Sequence, residues 1–254
     1  MPAPETELST DARGVATISF QGIKSLNIVG TGEVERLTRA ILSLASREDL
    51  RLLILTGAGE KAFIGGADIE EMARLTPASA GAFITNLHRL CRAIRDLPVP
   101  VIARIRGYCL GGGLEVAAAC DLRVASADAR FGMPEVKVGL PSVIEATLLP
   151  HLIGWGRARE IIYTGRIFGA SEALHMGLAE KVVPASELDA AVAQWVSAIL
   201  ECSPQAIRVQ KELFRQWEAL PPTAAAEASI PLFARCFESG EPNEYLKRFL
   251  QRKR

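Results

Sequence analysis

In Gly107-Tyr108-Cys109-Leu110-Gly111-Gly112-Gly113-Leu114-Glu115-Val116-Ala117-Ala118-Ala119-Cys120-Asp121, three adjacent glycines lead into a run of good helix formers. Upstream, Val99 to Ile105 is a short apolar, β-branched run bounded by turn and charged residues, which reads as a strand. Gly14 to Phe20 and Leu50 to Thr56 are two more runs of the same kind. Between these two, Val34, Leu37, Ile41 and Leu44 fall on one face of a helix expected over Thr31 to Ser46. A further helix is expected from Ala78 to Asp96, stopped by the prolines of Leu97-Pro98-Val99-Pro100. Strands separated by helices imply an α/β core with crossover connections.

A helix start is an anion site, because its first N–H groups lack internal partners and the macrodipole is positive there. The three glycines therefore open a helix whose first amides can face a ligand. A second candidate lies in Phe63-Ile64-Gly65-Gly66-Ala67-Asp68-Ile69-Glu70-Glu71-Met72. Here the glycine pair permits positive φ, and Asp68 is suited to cap a short helix, which leaves the N–H of Ala67 free to point at a ligand. Glycine pairs more often mark turns or close packing. Two such donors on one carbonyl oxygen, however, would form an oxyanion hole, where one donor is worth ~10²–10³ in rate.

Two carboxylates complete the pattern. Glu115 is flanked by Leu114, Val116 and three alanines, so its helix is apolar nearly all round and buried. A buried carboxylate needs partners or a raised pKa, both typical of functional sites. Glu135 follows Phe131-Gly132-Met133-Pro134 and precedes Val136-Lys137-Val138-Gly139, a loop held against a pocket; the plain alternative is a surface glutamate paired with Lys137. Two acid/base carboxylates with two amides suit an enzyme that handles an enolate.

Gly59 to Ile69, Gly107 to Asp121 and Phe131-Gly132-Met133-Pro134-Glu135, in this order, resemble the crotonase (enoyl-CoA hydratase/isomerase) superfamily. The resemblance runs from Ser25-Leu26-Asn27 to Gly177-Leu178-Ala179-Glu180-Lys181-Val182-Val183 and covers most of the chain. It implies repeated ββα units wound into a right-handed superhelix, with the core in residues 1–184 and a helical oligomerisation region in 185–254, building a trimer or a dimer of trimers. It further implies that the amides of Ala67 and Gly112 hold the thioester oxygen of an acyl-CoA. Glu115 and Glu135 are then the pair that activates water and exchanges protons with the α-carbon. Coenzyme A is expected along Lys24, Ser25 and Leu26 and along Gly65, Asp68 and Ile69, as the carrier part of the substrate, with no metal and no redox cofactor. The activity implied is hydration of a 2-enoyl-CoA; the alternatives are a Δ3,Δ2-enoyl-CoA isomerase, another acyl-CoA lyase of this type, or a non-catalytic binding scaffold.

One segment departs from the family pattern. Where hydratases carry further glycines and a Thr-Gln-Arg element, this chain reads Gly139-Leu140-Pro141-Ser142-Val143-Ile144-Glu145-Ala146-Thr147-Leu148-Leu149-Pro150. A reshaped acyl pocket is expected, with Met133, Leu140, Ser142 and Glu145 as candidate lining. The plain reading of Glu145 is a helix-surface side chain near His151.

Composition fits a soluble enzyme: 49% hydrophobic residues suffice for a sizeable core, and 29 basic against 29 acidic residues argue against nucleic-acid or membrane-surface partners. The closing Arg252-Lys253-Arg254 reads as a solvated helix end. Five cysteines without Cys-x-x-Cys spacing are expected to be reduced thiols in a cytoplasmic protein, and His88, His151 and His175 lack metal-ligand spacing. Met1 to Arg13 has no signal-peptide core, and no apolar run approaches a membrane span. Past Pro184, Leu188, Val192, Trp195, Val196 and Ile199 trace one helix, and three more are expected before the end. Their apolar surface suits burial against another subunit.

Overall fold

The computed structural model of the chain describes residues 6–252, so residues 1–5 of the polar N-terminal stretch and Lys253-Arg254 of the basic terminus lie outside the described residues. The first half runs β1 (Glu7–Thr10), β2 (Val15–Phe20), α1 (Thr31–Leu42), β3 (Leu52–Gly57), β4 (Ala62–Ile64), α2 (Ile69–Met72) and α3 (Pro77–Asp96). It continues through β5 (Val101–Ile105), β6 (Tyr108–Leu110), α4 (Gly112–Ala119), β7 (Leu122–Ser126) and β8 (Arg130–Gly132). Two 3₁₀ turns, Pro134–Val138 and Ile144–Leu148, precede α5 (Leu149–Ile153), α6 (Trp155–Thr164), β9 (Ile167–Gly169), α7 (Ala170–Met176) and β10 (Lys181–Val183). Four helices close the chain: α8 (Leu188–Leu200), α9 (Pro204–Ala219), α10 (Pro222–Cys236) and α11 (Glu241–Arg252).

From β3 to β8 the strands alternate between two sheets. One sheet has the order β1-β2-β3-β5-β7-β10 and the other β4-β6-β8-β9, so each strand of the larger sheet from β3 to β7 hands the chain to a three-residue strand of the smaller one. Every pairing within them is parallel except β1 with β2 and β8 with β9. This is the repeated ββα winding expected from the sequence. The first helix is shorter than expected: after Leu42 the bonds tighten, with Leu44 N–H donating to the Ile41 carbonyl, and Ser43 to Ser46 form turns.

Alternation along the larger sheet explains its apolar strands. Ala16, Ile18, Leu53, Leu55, Val101, Ala103 and Ile105 face the main core, while Val15, Leu52, Ile102 and Val124 face the other way, against Leu188, Val192 and Val196 of α8. Both faces are covered, as parallel sheets require. Each fully buried Leu or Ile contributes roughly 1.5–3 kcal/mol.

Two buried cations anchor the chain beyond the glutamate-bearing helix α4. The Arg123 guanidinium donates to the carbonyls of Ala117 at 3.2 Å, Cys120 at 2.8 Å and Leu178 at 2.8 Å, and pairs with Glu180. It thereby satisfies the end of α4, whose last carbonyls have no partner within the helix. Lys211 of α9 reaches into the core, donating to Asp121 Oδ2 and Val99 O at 2.8 Å and to Ile94 O at 3.3 Å. The same Asp121 oxygen receives the Val101 N–H at 2.6 Å, so this tail helix is bolted to the start of β5.

Candidate active site

The parallel pairing of β4 with β6 sets Ile64 beside Cys109, so the glycine turns that leave these strands lie side by side. Gly113 shows how close they are: a β-carbon there would stand 2.2 Å from the Ile64 carbonyl oxygen. In the first turn the Gly66 carbonyl accepts the Val29 N–H at 2.9 Å and the Asp68 N–H reaches the Val29 carbonyl at 2.9 Å. The Ala67 N–H between them has no acceptor among the described residues. The same holds for the Gly112 N–H at the first position of α4, where the Leu114 and Glu115 amides instead return to the Gly111 carbonyl. Asp68 caps α2 as expected, its carboxylate accepting the Glu70 N–H at 2.8 Å.

The carboxylates converge on the glycine turn. Gly111 adopts φ 52°, and a β-carbon there would lie 2.6 Å from Glu135 Oε1. Only glycine combines that dihedral with that neighbour. The Glu115 Oε2 atom stands 4.0 Å from the equivalent point of Gly112. Every residue of α4 is buried, Glu115 included, and its Oε1 accepts the Ala146 N–H at 3.0 Å. Burial raises the Glu115 pKa from 4.5 to about 8, opposed by the Ala146 hydrogen bond and helped by the charges of Glu135 and Glu145. Glu135, in the turn after β8, is half-buried and also raised by desolvation, while the Ser142 hydroxyl donates to its Oε2 at 2.9 Å and opposes the rise. Ser142, and not Lys137, is therefore its partner. Burial therefore favours the protonated form of both carboxylates, most strongly that of Glu115.

The segment expected to hold coenzyme A is drawn onto the first turn. The Gly65 N–H donates to the Leu26 carbonyl at 2.8 Å, and Lys24, in the left-handed region at φ 58°, pairs with Glu70 at 3.2 Å. Lys24, Ser25, Leu26 and Ile69 are exposed around this edge, with Gly65 and Asp68 half-buried. Asn27 organises the loop: buried at φ 51°, it donates to the carbonyls of Ala58 at 2.9 Å and Ala62 at 2.8 Å and accepts the Gly22 N–H at 3.3 Å. A buried asparagine between apolar neighbours is the signal that could have marked it.

The acyl-side candidates divide. Leu140 is exposed, and Ser142 orients Glu135. Met133, just past the end of β8, is wholly buried in the main core. Glu145 is corrected. It is buried, not on a helix surface, and its partner is His88 of α3, with Nδ1 2.9 Å from Oε1, and not His151.

A family profile described as enoyl-CoA hydratase/isomerase matches residues 10–254. Among curated relatives, the short-chain-enoyl-CoA hydratase of Clostridium acetobutylicum is 32% identical over 94% of this chain and 92% of its own length. The crotonyl-CoA hydratase of Syntrophomonas wolfei is 32% identical over 94% of this chain and 93% of that protein. The crystal structure of an enoyl-CoA hydratase from Bacillus anthracis superimposes with a TM-score of 0.93 at 31% identity, covering 97% of this chain and 96% of that one.

Proposed function

We propose that this chain, which belongs to the enoyl-CoA hydratase/isomerase family, is an enoyl-CoA hydratase that adds water across the 2,3 double bond of an acyl-CoA thioester. The observation that carries this reading is the convergence of Glu115 and Glu135 on the Gly111-Gly112 turn beside the two unpaired amides. In this reading the Ala67 and Gly112 N–H groups hold the thioester oxygen, and coenzyme A lies along Lys24 to Leu26 and Gly65 to Ile69.

The ionised member of the carboxylate pair takes a proton from water as its oxygen bonds to the β-carbon. Electrons move onto the thioester oxygen to give the enolate, which the two amides stabilise before charge has to reach solvent. The protonated member then delivers its proton to the α-carbon. Water adds as hydroxyl to the β-carbon and proton to the α-carbon with no net oxidation, so the chemistry calls for no redox cofactor, and coenzyme A enters as the carrier part of the substrate. Retention of the full set of groups counts against a bare binding scaffold.

Double-bond migration is a second reading, favoured by one feature: deeper burial favours the protonated form of Glu115, which leaves the half-buried Glu135 to act as the base. Incubation with crotonyl-CoA and with a 3-enoyl-CoA separates the two. Hydration removes the enoyl absorbance and adds the mass of one water; a shift of the double bond without mass gain from the 3-enoyl ester would replace the hydratase reading.

A homo-oligomer, trimeric or doubly trimeric, suits the tail. Ile230, Phe233, Leu246 and Leu250 of α10 and α11 are exposed apolar side chains on neighbouring elements. Among the described residues no helix is long and apolar enough to cross a membrane.

A further inference from the structure

Glu145 takes no part in the chemistry above, yet it is 6% exposed, almost as buried as Glu115. His88 satisfies one carboxylate oxygen, whereas Oε2 is buried with no hydrogen-bond partner among the described residues. The adjacent Cys91 thiol, held protonated by burial and by the Glu145 charge, shares a hydrogen bond with this carboxylate, but a thiol is only a weak donor. An unpartnered buried carboxylate oxygen is costly, and such an atom in a native chain calls for an occupant.

The backbone directs it there. Ile144 sits at φ 40°, a region that β-branched residues avoid, and strain of this kind persists where the surroundings impose it. That one turn sets two groups: the Ala146 N–H onto Glu115, and the Glu145 side chain into the layer between Glu115 and α3. The same helix α3 closes over the glycine turn, since Leu87 Cδ2 lies 2.7 Å from where a β-carbon of Gly112 would be. The Glu145 carboxylate thus lies next to Glu115, whose pKa its charge raises and whose Oε1 the following residue's N–H holds.

We propose that Glu145 is a specificity-determining residue whose free oxygen accepts a hydrogen bond from a hydroxyl carried on the acyl group beyond its β-carbon. The inference rests on the hydratase reading and names its substrate class, hydroxylated 2-enoyl thioesters. His88 fixes the carboxylate so that its second oxygen points inward, and an acyl group ending in a carboxylate meets like charge there.

The test compares kcat/KM for 4-hydroxybut-2-enoyl-CoA and crotonyl-CoA, with the dissociation constants of the unreactive 4-hydroxybutyryl-CoA and butyryl-CoA measured by calorimetry. The wild type should favour the hydroxylated member of each pair by roughly tenfold or more. Glu145→Gln, which keeps an acceptor oxygen, should retain part of the preference, and Glu145→Leu should reverse it. Should Glu145→Leu fail to fold, Glu145→Ala and the wild-type ratios carry the same comparison. Equal ratios in the wild type, the result expected of a resident water on Oε2, or a preference that survives Glu145→Leu, would overturn the inference while leaving hydration intact. Failure of every thioester to bind would instead defeat the hydratase reading and the inference with it.

Discussion

The Gly111–Ala119 segment and the 142–148 segment both hold Glu115, the first as its own helix and the second through the Ala146 N–H at 3.0 Å. In the first, glycine sits at each tight place, positive φ falls on Gly111, and the buried helix end is satisfied by Arg123. In the second, positive φ falls on an isoleucine and a buried glutamate keeps one oxygen unpaired among the described residues. The contrast separates two duties of one cavity. In the proposed reading, relaxed backbone presents the groups of the reaction, and strained backbone presents the group that selects the acyl chain.

The largest effect that would sharpen this contrast is at the chemistry itself. Glu135→Gln or Glu115→Gln should lower kcat for crotonyl-CoA hydration by about 10²–10⁴, with the thioester dissociation constant nearly unchanged in calorimetry, because proton transfer goes while shape stays. Unchanged turnover in either variant would remove that residue from the reaction.

Next in size is Gly111→Ala. Backbone at φ 52° and ψ −123° costs a non-glycine residue about 1–3 kcal/mol, and the new methyl must displace the Glu135 carboxylate. The expected result is a loss of activity on the order of 100-fold together with a lower melting temperature. Full activity would break the claim that the first segment tolerates nothing larger than hydrogen there.

Titration gives a third handle. Glu115 is raised from 4.5 to about 8, mainly by burial, so the folded chain holds an extra proton across that interval. Its contribution to stability therefore declines as pH rises from about 4.5 to about 8, by at most about 1.4 kcal/mol per pH unit, and is level above. Denaturant unfolding across this range should show a slope in the wild type that flattens in Glu115→Gln; parallel curves would contradict the burial argument. The smallest effect is expected from Ser142→Ala, which removes one donor from Glu135 and should reduce kcat by roughly tenfold with no change in fold, read by steady-state rates and circular dichroism.

Much of this was legible along the chain. Strands of the larger sheet announce themselves because both faces are buried, so Val101 to Ile105 is apolar at nearly every position. The helix start at Gly112 and the cap at Asp68 carry local chemistry and were read from it. Strands β4, β6, β8 and β9 are three residues each, too short to show a period, and they became visible only through their pairing. The partner of Glu145 escaped for a related reason. His88 is 57 positions away on another helix, and nothing in the local pattern prefers it to nearby His151.

The Lys211–Asp121 contact joins positions 90 apart in the chain, and the aspartate immediately follows the C-cap residue of the glutamate-bearing helix. On a ribosome, the amide turns and both acids are therefore synthesised well before the lysine that locks the far end of that helix emerges. A nascent or clipped chain ending just before α9 would own every reacting group and still leave the Asp121 carboxylate without its cation. Competence for turnover should consequently appear late, in step with the docking of α8 to α11, and limited proteolysis in that tail should silence the enzyme without touching its centre.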